Sequence, residues 1–223
     1  EFPKTSFKKT GLPESLNTDK GILHKGKINY MKSGLLYADV INTVSETYAN
    51  EIRTDNEIGG GLKDVLAKRK EDLYGIINGI DIKVWNPDKD KHLPKKYSIK
   101  NVEQKVVNKQ ALAEKFGFEF NEDIPIIGLI SRLYDSKGID LVQKILPDLL
   151  KMDVQMIVLG TGDKEYHTFF DQMAKKHHKK FACYLGFNDD LAHLIEGGAD
   201  LLLMPSRYEP CGLNQMYSLN YGT

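Results

Sequence analysis

The densest chemistry in the chain lies at Pro205-Ser206-Arg207-Tyr208-Glu209-Pro210-Cys211-Gly212-Leu213-Asn214-Gln215. One acid, Glu209, stands in a loop framed by prolines, and helix-forming sequence follows from about Gly212. The first N–H groups of a helix lack an internal partner and carry partial positive charge. Those of Cys211, Gly212, Leu213 and Asn214 are expected to point into the loop, beside the carboxylate. Glycine lets a ligand approach the backbone closely. A carboxylate next to such N–H groups can hold a sugar by its hydroxyls and a phosphate by the amides. A plainer reading, in which Glu209 merely caps the helix, stays open at this point.

A second segment, Ser131-Arg132-Leu133-Tyr134-Asp135-Ser136-Lys137-Gly138, carries two cations on a loop that leads into a helix. The planar fork of Arg132 and the compact charge of Lys137 together suit a diphosphate. Ordinary solvated surface cations are the competing reading. Gly160-Thr161-Gly162-Asp163 could open a dinucleotide fingerprint, and with it a nicotinamide-dependent dehydrogenase. Its third glycine is missing, so a tight strand-to-helix turn is the better reading. Gly186-Phe187-Asn188 places an aromatic where it can stack on a base, or simply join the core.

These segments need elements to position them, and the sequence from residue 124 onward provides a regular set. Apolar strand candidates at 124–130, 154–159, 181–185 and 200–204 alternate with helix candidates at 138–151, 163–177, 189–196 and about 212–220. Short apolar strands alternating with amphipathic helices indicate βαβ units, a parallel sheet and a Rossmann-like doubly wound α/β layer. Ligands in such layers sit beyond the carboxyl ends of the strands. All four segments above fall at those ends.

The earlier residues differ in texture. Residues 1–74 read as irregular chain followed by short helices, and 75–101 as a connector. Ser45 is the expected N-cap of a helix over 46–53. A helix over 28–38 is expected to pack Met31, Leu35 and Leu36, with Tyr30 and Tyr37 in ordinary packing roles. Asp88-Lys89-Asp90 could pass for a metal-binding acid pair, but its proline-flanked loop reads better as surface charge, and the basic run 175–180 as a solvated helix end.

Composition narrows the classes. Thirty-one basic residues balance thirty-one acidic ones, which argues against a nucleic-acid binder or a polybasic membrane module. The chain is 41% hydrophobic and 28% charged, as globular chains are. Its apolar runs are too short to span a membrane. Two cysteines in unrelated contexts supply neither a disulfide framework nor a zinc cluster. No metal or other cofactor is expected, and a cytoplasmic location is the default.

Five segments taken together resemble the bacterial glycogen synthase and starch synthase family. They are "TVSETYANEI", "GIINGIDIKVWNP", "SRLYDSKGIDLV", "LGTGD" and "GGADLLLMPSRYEPCGLNQMYSLNYGT". The resemblance implies a retaining glucosyltransferase of the GT-B architecture, with two Rossmann-like domains. It implies ADP-glucose as donor and an α-1,4-glucan as acceptor, though the sequence leaves ADP-glucose against UDP-glucose undecided. By that resemblance Arg132 and Lys137 hold the diphosphate, and Glu209 contacts the transferred glucose. Cys211, Gly212 and Leu213 line the sugar and phosphate. Gly186 and Phe187 lie near the adenine, and Asn78 belongs to the domain cleft. Asn214 replaces a residue that is often threonine in relatives. The resemblance further implies that 1–74 is the tail of the acceptor-side domain and 75–223 a truncated nucleotide-sugar domain. The family's N-terminal Lys-x-Gly-Gly-Leu loop and a His-Asn pair are missing. The chain is therefore expected to be an internal piece, inactive by itself. A non-catalytic nucleotide- or glucan-binding module of the same fold is the alternative.

Overall fold

In a computed structural model that describes residues 1–223, the alternation from residue 124 onward becomes a parallel sheet. The chain forms two compact units, Glu1–Asn78 and Gly79–Thr223.

The smaller unit begins with β1 (Phe2–Pro3), β2 (Leu23–His24) and β3 (Lys27–Ile28), joined as an antiparallel sheet in the order β1-β3-β2. This sheet was not expected, because strands of two residues carry no periodicity. Leu23 faces Ile28 and His24 faces Lys27, which leaves Lys25-Gly26 as a two-residue loop. Both have positive φ, at 50° and 74°, as a hairpin of this length prefers.

Next come α1 (Tyr30–Tyr37), β4 (Ile41–Thr43), α2 (Glu46–Thr54), α3 (Lys63–Lys68) and β5 (Leu73–Gly75). Ser45 caps α2 as expected, its hydroxyl accepting from the Tyr48 N–H at 2.9 Å. Strand β5 pairs in parallel with β4, so residues just beyond 74 belong with this unit. The packing of α1 differs from expectation. Tyr30, Tyr37 and Met31 are exposed, and the buried residue is Lys32, whose ammonium donates to the Leu23 carbonyl at 2.6 Å.

The larger unit holds α4 (Lys105–Lys115), β6 (Ile126–Ile130), α5 (Ile139–Leu149), β7 (Gln155–Gly160), α6 (Lys164–Lys176), β8 (Phe181–Leu185), α7 (Asp189–Gly198), β9 (Leu201–Leu202) and α8 (Asn214–Tyr221). The strand order is β8-β7-β6-β9, all parallel. Strand β7 shows why the layer is doubly wound. Met156 and Val158 pack with α5 and α6, whereas Ile157 and Leu159 pack with α4 and α7. Side chains alternate across a strand, so both faces are apolar and both need helices.

Asp90 corrects the reading of its segment as surface charge. It is 2% exposed, and its Oδ2 lies 2.7 Å from His193 Nδ1 and accepts from the Tyr221 hydroxyl at 2.6 Å. Burial pushes this carboxyl upward. Hydrogen bonds from His193, Tyr221 and the His92 N–H outweigh burial, so it titrates below the usual range. Around it, the rings of Tyr217, Trp85 and His193 stack at centroid spacings of 3.9 and 3.8 Å. Nearby, Ser218 donates to Glu196 Oε2 at 2.7 Å, while Glu196 Oε1 is buried without a partner. Burial pushes the Glu196 carboxyl up to about 7. These contacts pin α8 to α7 and so fix where the start of α8 points.

Candidate active site

Strands β6 and β9 are neighbours, so the loops that leave their carboxyl ends run side by side. The first, 131–138, continues the sheet by backbone alone. Leu133 N–H donates to the Thr161 carbonyl at 2.9 Å, and Asp163 N–H to the Leu133 carbonyl at 3.0 Å. Gly160 and Gly162 make that approach possible. A Cβ at either would meet the Ser131 or Leu133 carbonyl oxygen at 1.9 or 2.2 Å. These glycines therefore serve loop packing, which rules in the tight turn over a dinucleotide fingerprint.

After Leu133 the first loop forms a short 3₁₀ turn, Asp135–Lys137, and enters α5 through Gly138. Gly138 has φ of +69°, and a Cβ there would lie 2.1 Å from the Pro205 carbonyl oxygen. The second loop, 205–213, thus rests directly on the first. Arg207 N–H adds a hydrogen bond to the Ser136 carbonyl at 3.0 Å.

Between the loops lies a cavity of about 270 Å³ whose lining includes Arg132, Lys137, Glu209, Cys211, Gly212, Leu213 and Asn214. Residues more than 70 positions apart thereby meet. The Lys137 ammonium donates to Glu209 Oε2 at 2.7 Å, with the two side chains 15% and 26% exposed. Arg132 stands over the Tyr134 ring, its guanidinium carbon 6.0 Å from the centroid. Helix α8 begins at Asn214, two residues later than expected. The N–H groups of Cys211, Gly212, Leu213 and Asn214 have no acceptor within the chain. Glu209 does not cap that helix; its partners are Lys137 and, at 3.4 Å, the Ser206 hydroxyl.

A second cavity, of about 190 Å³, shares Arg132 and Asn214 with the first and reaches Gly186 and Phe187. Phe187 is 87% exposed, so its reading as a core aromatic falls. Asn214 stands between the two cavities, its amide donating to the Ile130 carbonyl at 2.7 Å. Asn78 ends the smaller unit and lines neither cavity.

Sequence reasoning passed over the groups that support these loops. Arg207 pairs with Asp140, and the Tyr166 hydroxyl donates to Asp135. The Arg207 pairing holds the Asp140 carboxyl below its usual range. The Tyr166 phenol is raised, by burial and then by Asp135. The one available signal was an arginine two residues before the acid.

Residues 111–223 match the group 1 glycosyl transferases, and residues 1–68 match the starch synthase catalytic domain. The chain belongs to the group 1 glycosyl transferase family. It is 47% identical over 217 residues to a glycogen synthase of Pseudothermotoga lettingae, covering 97% of this chain and 44% of that protein. It is equally 47% identical over 222 residues to a glycogen synthase of Thermosipho africanus, covering 100% and 46%. Among solved glycosyltransferases, the catalytic domain of starch synthase IV from Arabidopsis thaliana, described as bound to ADP and acarbose, superposes with a TM-score of 0.91. That match is 31% identical and covers 99% of this chain and 46% of the other. The resemblance read from the five segments is therefore correct, and the fold is Rossmann-like and of the GT-B type. The chain spans about half the length of the curated relatives it matches. No helix of this chain is long and apolar enough to cross a membrane.

Proposed function

We propose that the full-length protein is a glycogen or starch synthase. It transfers glucose from ADP-glucose to the non-reducing end of an α-1,4-glucan and retains the anomeric configuration. The observation that carries this reading is the meeting of Arg132, Lys137 and Glu209 in one cavity, beside unpaired N–H groups at the start of α8. The two cations take the diphosphate and Glu209 takes hydroxyls of the transferred glucose. Cys211, Gly212, Leu213 and Asn214 line sugar and phosphate. Gly186 and the exposed Phe187 receive the base in the adjoining cavity. Asn78 is assigned to the same substrate on its motif alone.

No second carboxylate lines the cavity to form a covalent intermediate, which favours front-face displacement. Catalysis then rests on charge that grows on the departing ADP oxygen. A cation about 4 Å from that oxygen interacts by about 4 kcal/mol at an effective dielectric of about 20. Only the part gained in the transition state speeds transfer.

Under this reading Glu1–Asn78 belongs to the acceptor-side domain and Gly79–Thr223 to the nucleotide-sugar domain. A cytoplasmic location goes with it, since both cysteines are free thiols. The test is glucose transfer by the full-length protein from ADP-glucose and UDP-glucose to a malto-oligosaccharide, with the product anomer read by NMR. Transfer from ADP-glucose with an α product is expected. ADP binding without transfer from either donor supports the non-catalytic module instead.

A further inference from the structure

The 131–138 and 205–213 loops make the cavity, and the contacts that hold them together lie outside it. Arg207 does not line the cavity. Its guanidinium reaches the other way. One nitrogen donates to the Asp135 carbonyl at 2.9 Å and pairs with Asp140 Oδ1, while the other donates to Asp140 Oδ2 at 2.7 Å. Asp135 is held from a further side by the Tyr166 hydroxyl of α6. Backbone bonds from the Arg207 and Tyr208 N–H groups to the Ser136 carbonyl, at 3.0 and 3.3 Å, complete the strap.

We propose that Arg207 is a positioning residue, which locks the Lys137 turn to the Glu209 loop through Asp135 and Asp140. The proposal rests on the reading of Lys137 and Glu209 as donor-site groups. Asp135 and Lys137 belong to one 3₁₀ turn, and Arg207 precedes Glu209 by two residues. Any slip at the strap therefore passes directly to both reacting groups. The Arg207–Asp140 side chains are 45% and 26% exposed, and exposed ion pairs add little to stability. Their fork geometry adds directional precision instead. Lysine cannot reproduce it, because one ammonium cannot span a bidentate carboxylate and a backbone carbonyl together.

The test uses Arg207→Ala, Arg207→Lys and Asp140→Asn in the full-length protein. Misplacement by about 1 Å can cost about a hundredfold, so Arg207→Ala should lower kcat about ten- to a hundredfold. The unfolding midpoint should move by no more than about 3 °C. Arg207→Lys should not restore kcat. In a Lys137→Ala background, the further loss from Arg207→Ala should shrink to about threefold or less, because groups acting as a unit are not additive. A general loss of folded protein would instead multiply unchanged in either background, and that result overturns the proposal.

A second readout needs no turnover. Acetylation of Lys137 by acetic anhydride, followed on its tryptic peptide, should rise several-fold in Arg207→Ala relative to the parent. Unchanged labelling overturns the positioning role. Raised labelling in a protein that transfers no glucose keeps the strap and rejects the synthase reading.

Discussion

Lys137 and Arg132 share one cavity but not one environment, since Lys137 is tied to Glu209 and Arg132 lies over Tyr134. Losing a preorganised group that meets developing charge costs about a hundred- to a thousandfold in turnover. Lys137→Ala and Arg132→Ala should each show such a loss in steady-state glucose transfer, with thermal stability nearly unchanged. Near-normal turnover in both rejects the leaving-group role. Gly138→Ala makes a different demand. A Cβ would strike the Pro205 carbonyl at 2.1 Å on a backbone with φ of +69°. Strain of this kind costs about 1–3 kcal/mol, so the variant should unfold at lower denaturant and also lose activity. At this scale the convergence of Arg132, Lys137 and Glu209 in one candidate cavity was legible, because loop residues at strand ends announce themselves by type. Arg207 and Asp140 were not, since nothing local links an arginine two residues before Glu209 to an aspartate 67 residues away.

Among the elements, α7 carries a buried carboxyl, Glu196, which Ser218 of α8 partners. The Glu196 carboxyl is pushed up from 4.5 to about 7, mainly by burial, so the folded state holds its proton more tightly than the unfolded state. Stability is then greatest below about pH 4.5 as far as this group is concerned, and falls as pH rises towards 7. The full effect is on the order of 3 kcal/mol. Melting followed by circular dichroism at pH 5 and pH 7.5 should show this fall in the parent and not in Glu196→Gln. An equal fall in both would assign the slope to other groups. Asp90→Ala removes the acceptor shared by His193 and Tyr221 and should cost about 1–3 kcal/mol, read by urea denaturation. The periodic strands and helices from residue 124 onward were readable because both sheet faces are apolar. Asp90 was misread because its partner His193 lies 103 residues away, and neighbouring charges suggest solvent. The two-residue strands β1, β2 and β3 were missed because nothing so short has a period.

For the whole chain, the informative fact is that each apolar core closes within its own unit. The two clusters that flank the larger sheet draw only on residues 112–203, and those of the smaller unit only on residues 7–73. Residues Gly79–Thr223 produced alone should therefore melt cooperatively, within about 5 °C of the same unit in the complete chain. A broad, non-cooperative transition in calorimetry would show that the smaller unit is needed. The ion pair of Lys137 with Glu209 also has a consequence for the order of events in the cavity. Each partner currently satisfies the other, so an incoming anion that captures the ammonium strips the carboxylate of its company. Under the proposed function, the acid is then left hungry for hydroxyl donors just as the donor sugar would bring them.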